Sequence, residues 1–299
     1  MDRKKIYIIL VILVFGVGSL VSDLFATDWY VDNTAAGHNN GTSWSDAWTS
    51  FSGIVWGTNG VKAGDTLYIS GGSTFKTHTA TSDGMFTVGA AGTSGNLITI
   101  ATGTKSPSPT GHNGRVIFDA ANSYAAPIVC LRNYVKIDGE KSGTINWEVR
   151  NVYRRAPYSG AVAVALSNGN PHTGNIVTYL SIHDVEDAIN CHAVTNTPGS
   201  VEISYCQIYN VIGDHAIHAT GTAATQVGVY LIFHNTITIR GDPTQSCYGP
   251  DGIQGTYGLD IYNNTFNAEN ATIVGAQHPD FNQFDFHLVE SGTINSMVI

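Results

Sequence analysis

From residue 176 onward, apolar and polar residues alternate in short runs. Ile176 to Thr178, Val201 to Ser204, Val229 to Ile232 and Leu259 to Ile261 each alternate, which predicts strands with one buried face. A related segment follows each run: Tyr179-Leu-Ser-Ile182, Tyr205-Cys-Gln-Ile208, His234-Asn-Thr-Ile237 and Asn263-Asn-Thr-Phe266, with last residues 26, 29 and 29 positions apart. A second element then repeats: Asp187-Ala-Ile189-Asn190, His215-Ala-Ile217-His218, Asp251-Gly-Ile253-Gln254 and, less faithfully, Asp280-Phe-Asn282-Gln283. A period of this length with strand-like content predicts a solenoid of three short strands per turn, each turn burying its apolar edge only against its neighbours. Fainter turns are readable at Ile128 to Leu131, at Tyr134 to Asp138 with Ile145, and at Ala161 to Leu166.

Leu180, Cys206, Asn235 and Asn264 fall at one corner between two strands, where stacked Asn amides bond neighbouring turns and accept the left-handed backbone of a sharp bend. In residues 29–118, Trp44, Ala47, Trp48, Phe51 and Val55 fall at helical spacing and predict a short amphipathic helix capping the open first coil. That spacing assigns the tryptophans to the core of the cap, with sugar stacking by Trp44 or Trp48 as the sharper alternative. No polar closing helix is evident after Phe284 to Val289, so an open strand edge is expected, with either a chain cut short there or self-association through that end.

The 299 residues are 42% hydrophobic and 12% charged, which excludes disorder and supplies one sizeable core. The net charge of −9 repels polyanions, so nucleic acid is excluded as a partner, and an acidic polysaccharide requires a bridging divalent cation or a local Arg cluster. Ile6 to Val21 is an apolar run behind the basic stretch Asp2 to Lys5, and residues 1–26 resemble a secretory signal peptide cleaved after Ala26. The run is shorter than the roughly 20 residues that span a bilayer, so membrane attachment is expected only if the segment stays uncleaved. Removal takes away three cations and two carboxylates and leaves a mature chain at −10. The rest reads as one continuous domain, with 27–118 the N-terminal cap and first coils and 119–299 the later coils. Cys130, Cys191, Cys206 and Cys247 are widely spaced and lack CxxC pairing, so they read as small core residues.

Several segments resemble the secreted right-handed parallel β-helix proteins of the pectate-lyase-like superfamily. They are Trp29-Tyr-Val-Asp32, Gly41-Thr-Ser-Trp44 with Ala47-Trp48, Ala63-Gly-Asp-Thr-Leu-Tyr-Ile69 and Asn133-Tyr-Val-Lys-Ile-Asp-Gly139. The resemblance covers most of residues 28 to 290. It implies an all-β, right-handed parallel β-helix of three-strand coils, secreted or at the cell surface, with a tendency toward carbohydrate chemistry. The same scaffold also serves surface adhesion, so fold alone does not settle function.

In such a coil, equivalent positions stack about 4.8 Å apart. The first polar column is Asp187, His215, Asp251 and Asp280; the second is Asn190, His218, Gln254 and Gln283, turned outward by alternation from the buried Ile side chains. Thirteen residues separate Ile237 from Asp251 and Phe266 from Asp280, against four between Ile182 and Asp187, so the later loops protrude and flank a groove. Arg240 opens one such loop, and Val149 to Ser159, with Arg150, Arg154 and Arg155, forms another. Asp187, His215, Asp251 and Asp280 are the candidate catalytic residues. Asn190, His218, Gln254, Gln283, Arg154, Arg155 and Arg240 are the candidate ligands of a polysaccharide or oligosaccharide. Asp251 and Asp280, one coil apart, either hold a proton or bind a cation such as Ca²⁺.

Glu186-Asp187-Ala-Ile and Asp214-His215-Ala-Ile look like the Asp-Asp-Cys-Ile and Gly-His-Gly-Ile segments of polygalacturonases, and Asp251-Gly-Ile is similar to their Asp-Gly-Ile piece. Here, however, that piece follows the histidine coil, and no Arg-Ile-Lys clamp comes after it. The expectation is therefore a polysaccharide-cleaving protein, either a glycoside hydrolase or a Ca²⁺-dependent lyase. A lyase needs an Arg or Lys base and a cation on the uronate. A non-catalytic glycan-binding or adhesion module is the alternative, in which Asp residues at the corner only accept backbone hydrogen bonds.

Overall fold

The structure is a computed structural model and describes residues 26–153, 160–167, 172–193, 200–213, 215–221, 229–239, 251–255, 259–268, 282–283, 292–294 and 297–298. Strands from successive coils pair in parallel and build three sheets that run the length of a right-handed β-helix. The first sheet has nine strands, the second eight and the third seven. In one coil, Asn175–Thr178 lies in the first sheet, Leu180–Val185 in the second and Asp187–Ala193 in the third. Next come Val201–Ser204, Gln207–Val211 and His215–Gly221, then Tyr230–Phe233, Thr236–Ile239 and Asp251–Gly255.

Register follows the apolar repeat. Val177 pairs with Ile203, Ile203 with Ile232 and Ile232 with Ile261 in the first sheet, and Ile182 pairs with Ile208 and Ile208 with Ile237 in the second. All these side chains are buried. A one-residue slip would turn each apolar stack outward, which locks the coils in phase. Trp147, Phe118, Phe86 and Trp48 fill the N-terminal half of the same core.

The corner between the first and second sheets is a hydrogen-bonded ladder. Asn235 Oδ1 accepts the Cys206 N–H at 2.9 Å, and its amide donates to Ile203 O at 2.9 Å and Asn264 Oδ1 at 3.0 Å. Asn264 Oδ1 also accepts the Asn235 N–H, and its amide donates to Ile232 O at 2.7 Å. The left-handed backbone falls one residue earlier than expected, at Tyr179, Tyr205, His234 and Asn263, with φ between 54° and 57°. The bend thereby turns the Asn side chains inward to the ladder, while Tyr179, Tyr205 and His234 stack outside at 4.8 and 4.9 Å. Asn235→Leu should strand the buried Cys206 N–H and Ile203 carbonyl and lower stability by about 2–4 kcal/mol. Urea denaturation checks this, and a loss under about 0.5 kcal/mol would mean that the ladder is not a stabilising element.

Three expectations change. The capping helix over Trp44 to Val55 shrinks to one 3₁₀ turn at Phe51–Gly53. Trp48 exchanges backbone hydrogen bonds with Tyr30 and Asp32 at 2.9 Å, which holds it extended. Its ring stacks on Trp29, whereas the half-buried Trp44 stacks on His112 at 4.0 Å. Val149 to Val152 is not a loop. It belongs to the strand Trp147–Val152 of the second sheet, where Arg150 is paired with Asp119 and Glu148. Nor is the last coil left wholly open. Gly292–Ile294 returns antiparallel on Asn264–Ala268, and Met297–Val298 on Leu259–Tyr262, so these segments satisfy edge groups of the second and first sheets.

Cys130, Cys191 and Cys206 are buried free thiols whose pKa values burial pushes up. Cys247 and residues 1–25 lie outside the described residues. Among the described residues no helix is long and apolar enough to cross a membrane.

Candidate functional site

The third sheet carries the polar columns. Three of its strands each follow a strand of the second sheet along the chain. Their first residues are Asp187, His215 and Asp251. His215 is the register partner of Asp251, and Ile189 pairs with Ile217, which places Asp187 one coil from His215 on the other side. Asp280 lies outside the described residues.

The second column is in register throughout. Asn190 pairs with His218, His218 with Gln254 and Gln254 with Gln283. Asn190, His218 and Gln254 are half-buried, one residue beyond the fully buried Ile189, Ile217 and Ile253. The polar residues thus line the outer surface of a sheet whose inner surface is core. For Gln283 the pairing defines the backbone position.

The two columns converge on His215. Its ring stacks on His218 with centroids 4.4 Å apart and planes inclined by 18°. Gln254 hydrogen-bonds the His215 ring. Asp187 Oδ1 accepts the His215 backbone N–H at 2.8 Å and stands 3.8 Å from the ring Nδ1. Burial, reinforced by His218, pushes the His215 pKa down to about 3 against the Gln254 hydrogen bond; burial also lowers His218. Both imidazoles are neutral near pH 7, so they present one donor and one acceptor each.

Around this centre, Asp187 and Asp251 are buried. Glu186, adjacent to Asp187 and also buried, was not singled out from the sequence as a site residue. Its Oε2 accepts the Ala161 N–H at 2.9 Å and its carbonyl accepts the Gly213 N–H, so it ties three coils together at the turn. Its signal was its place beside Asp187 at a coil junction. The sequence left the direction of His215 open, since alternation assigns a face only to the second column; the ring stacks on His218, which puts it on the same outer surface.

Arg154, Arg155 and Arg240 lie outside the described residues, as do the intervening segments 154–159, 240–250 and 269–281. Among the described residues no group of three or more His, Cys, Asp or Glu side chains is placed to hold a metal. Ca²⁺ takes six to eight oxygen ligands. The described carboxylates do not supply such a set, since Asp187 Oδ1 and Glu186 Oε2 are turned to backbone N–H groups. Among the described residues no Ca²⁺ centre is formed, and the expected pair Asp251 and Asp280 includes a residue outside them.

No protein-family model matches the chain, and no curated protein matches it. Two solved structures are similar in fold. One is described as the crystal structure of pectate lyase Pel9A, with a TM-score of 0.39 and 12% identity over 84% of this chain and 72% of that one. The other is a rhamnogalacturonan lyase, with a TM-score of 0.39 and 10% identity over 88% of this chain and 89% of that one. Likeness at this level does not bear on the chemistry of the columns; the strand pairing itself makes the chain a right-handed parallel β-helix.

Proposed function

We propose that the chain is a secreted carbohydrate-active protein that binds an oligosaccharide along the outer surface of the third sheet and cleaves it by hydrolysis. The observation that carries this reading is the convergence of a carboxylate on each side of a neutral imidazole, His215, with an in-register polar column. Asn190, His218, Gln254 and Gln283 repeat every coil, about 4.8 Å apart, and offer donors and acceptors to successive sugar hydroxyls.

Asp187 and Asp251 are two coils apart, about 9.6 Å by coil rise, near the upper limit of the separation that leaves room for a water in an inverting glycosidase. Asp187, whose Oδ1 accepts the His215 N–H, is assigned as the base that activates water. Asp251 is then the acid that protonates the leaving oxygen, while His215 holds the geometry between them. The bond from Asp187 to the His215 N–H also favours a second reading. In a non-catalytic glycan-binding module the same carboxylate serves only to tie adjacent coils.

Incubation with a panel of neutral and uronate polysaccharides, with products analysed by mass and ultraviolet absorbance, separates the readings. Hydrolysis yields saturated ends and reducing sugar. Products absorbing as unsaturated uronates, lost on chelation, would replace hydrolysis by elimination. Binding without any product would leave the module reading.

A further inference from the structure

Far from the third-sheet columns along the chain, the N-terminal end of the helix holds a cavity of about 300 Å³. Its walls come from the end of the first strand at Val31, the turn around Phe51, the strand Phe75–Thr79 and the turn that follows it. Six hydroxyl-bearing residues line it, Thr49, Ser50, Ser52, Thr79, Thr81 and Ser82, of which Thr49 donates to Asn39 and Ser50 pairs with Ser52. Asn33 adds an amide, and Phe51 and Met85 add apolar surface. Among the described residues that line it there is no Lys, Arg, Asp or Glu.

His78 is the buried polar group of this wall. It is 7% exposed, packed against Phe51 at 5.1 Å and Phe118 at 5.7 Å. Its Nε2 faces the Ser70 carbonyl at 3.4 Å, and a carbonyl only accepts, so Nε2 carries the proton. In the neutral ring Nδ1 is then an acceptor. Phe51 is only partly buried and belongs to the lining.

Recognition of a small polyhydroxylated ring needs many hydroxyl donors and acceptors around an apolar surface for its C–H face. A charged ligand would instead need a countercharge to offset its desolvation. We infer that this cavity binds one uncharged pyranose-sized sugar unit, with its C–H face on Phe51 and its hydroxyls on the Ser and Thr ring of the wall. The volume lies at the small end of ligand pockets, which suits a single unit and not an extended chain. This site is independent of the cleavage reading: it lies in the first coils, whereas Asp187, His215 and Asp251 belong to later ones.

The test is titration of the full folded chain with glucose, galactose, rhamnose and galacturonate, followed by calorimetry and saturation-transfer NMR. At least one neutral sugar should bind, and galacturonate should bind at least about tenfold more weakly. Ser52→Trp, at an exposed residue of the 3₁₀ turn, should fill the cavity and weaken binding by at least about tenfold. Thr81→Trp, from the facing turn, should do the same and covers the case in which Ser52→Trp fails to fold. Asp251→Asn should leave this binding unchanged. Absence of binding by every neutral sugar, equal binding of galacturonate, or wild-type affinity in the folded Trp variants would each overturn the assignment.

Discussion

Asp251→Asn is expected to lower glycan cleavage by about 10²–10⁴-fold while leaving thermal unfolding close to that of the parent chain. The substitution is isosteric. It keeps the strand Asp251–Gly255 and its register with His215, but removes the proton that the leaving oxygen needs. Asp187→Asn should give a loss of similar size, with an additional fall in stability, because an amide oxygen accepts the His215 N–H less strongly than a carboxylate. The contrast in stability separates the two roles. If Asp251→Asn retains full turnover while folded, the residue is not the acid and the module reading gains.

Acidification from about pH 6.5 to about pH 4 is expected to remove about 3 kcal/mol of folding stability through His78 alone. Burial pushes the His78 pKa down to about 4, against the pull of the Ser70 carbonyl. The charged groups that act on it are Lys76, which lowers its pKa further, and Asp32, which raises it. Between the folded value and the ordinary value near 6.5 the unfolded chain binds a proton that the folded chain refuses, so stability is full above that range and is lost as pH falls through it. His215 and His112, lowered chiefly by burial, act in the same sense. So does Asp32: although burial opposes it, Lys76 and Thr34 hold this carboxyl well below the usual range, and its contribution disappears only at still lower pH. Urea denaturation at several pH values should show the slope, and His78→Phe should reduce it by about 3 kcal/mol over the interval. An unchanged slope in that variant would place the acid sensitivity elsewhere.

The coils were legible because a fixed period and alternation act on the same residues: Val177, Ile203, Ile232 and Ile261 could be aligned from spacing alone, and they pair in that order. The left-handed position was misread by one residue, since Tyr and His are not the small polar residues that usually occupy that backbone. Helical spacing misled at Trp44 to Val55, where long-range pairing of Trp48 with the first strand decides the backbone. Polar content misled at Val149 to Val152. Glu148 and Arg150 face outward and are satisfied by Arg115 and Asp119 on the adjoining coil, a pairing invisible without the register.

The candidate site was legible as columns, because register converts one repeat in sequence into one rung in space. Its depth was not. The stacking of His215 on His218 and the bond from Gln254 involve the first column, whose direction alternation left open. The cavity around His78 had no sequence signal at all, since its lining comes from three separate segments with no shared period.

The most direct measurement is a crystal structure of Asp251→Asn with an oligosaccharide that the parent chain cleaves. The predicted result is a sugar chain running along the third sheet, in contact with Asn190, His218 and Gln254, with its scissile bond between Asp187 and position 251. A chain bound on the first or second sheet, away from His215, would contradict it.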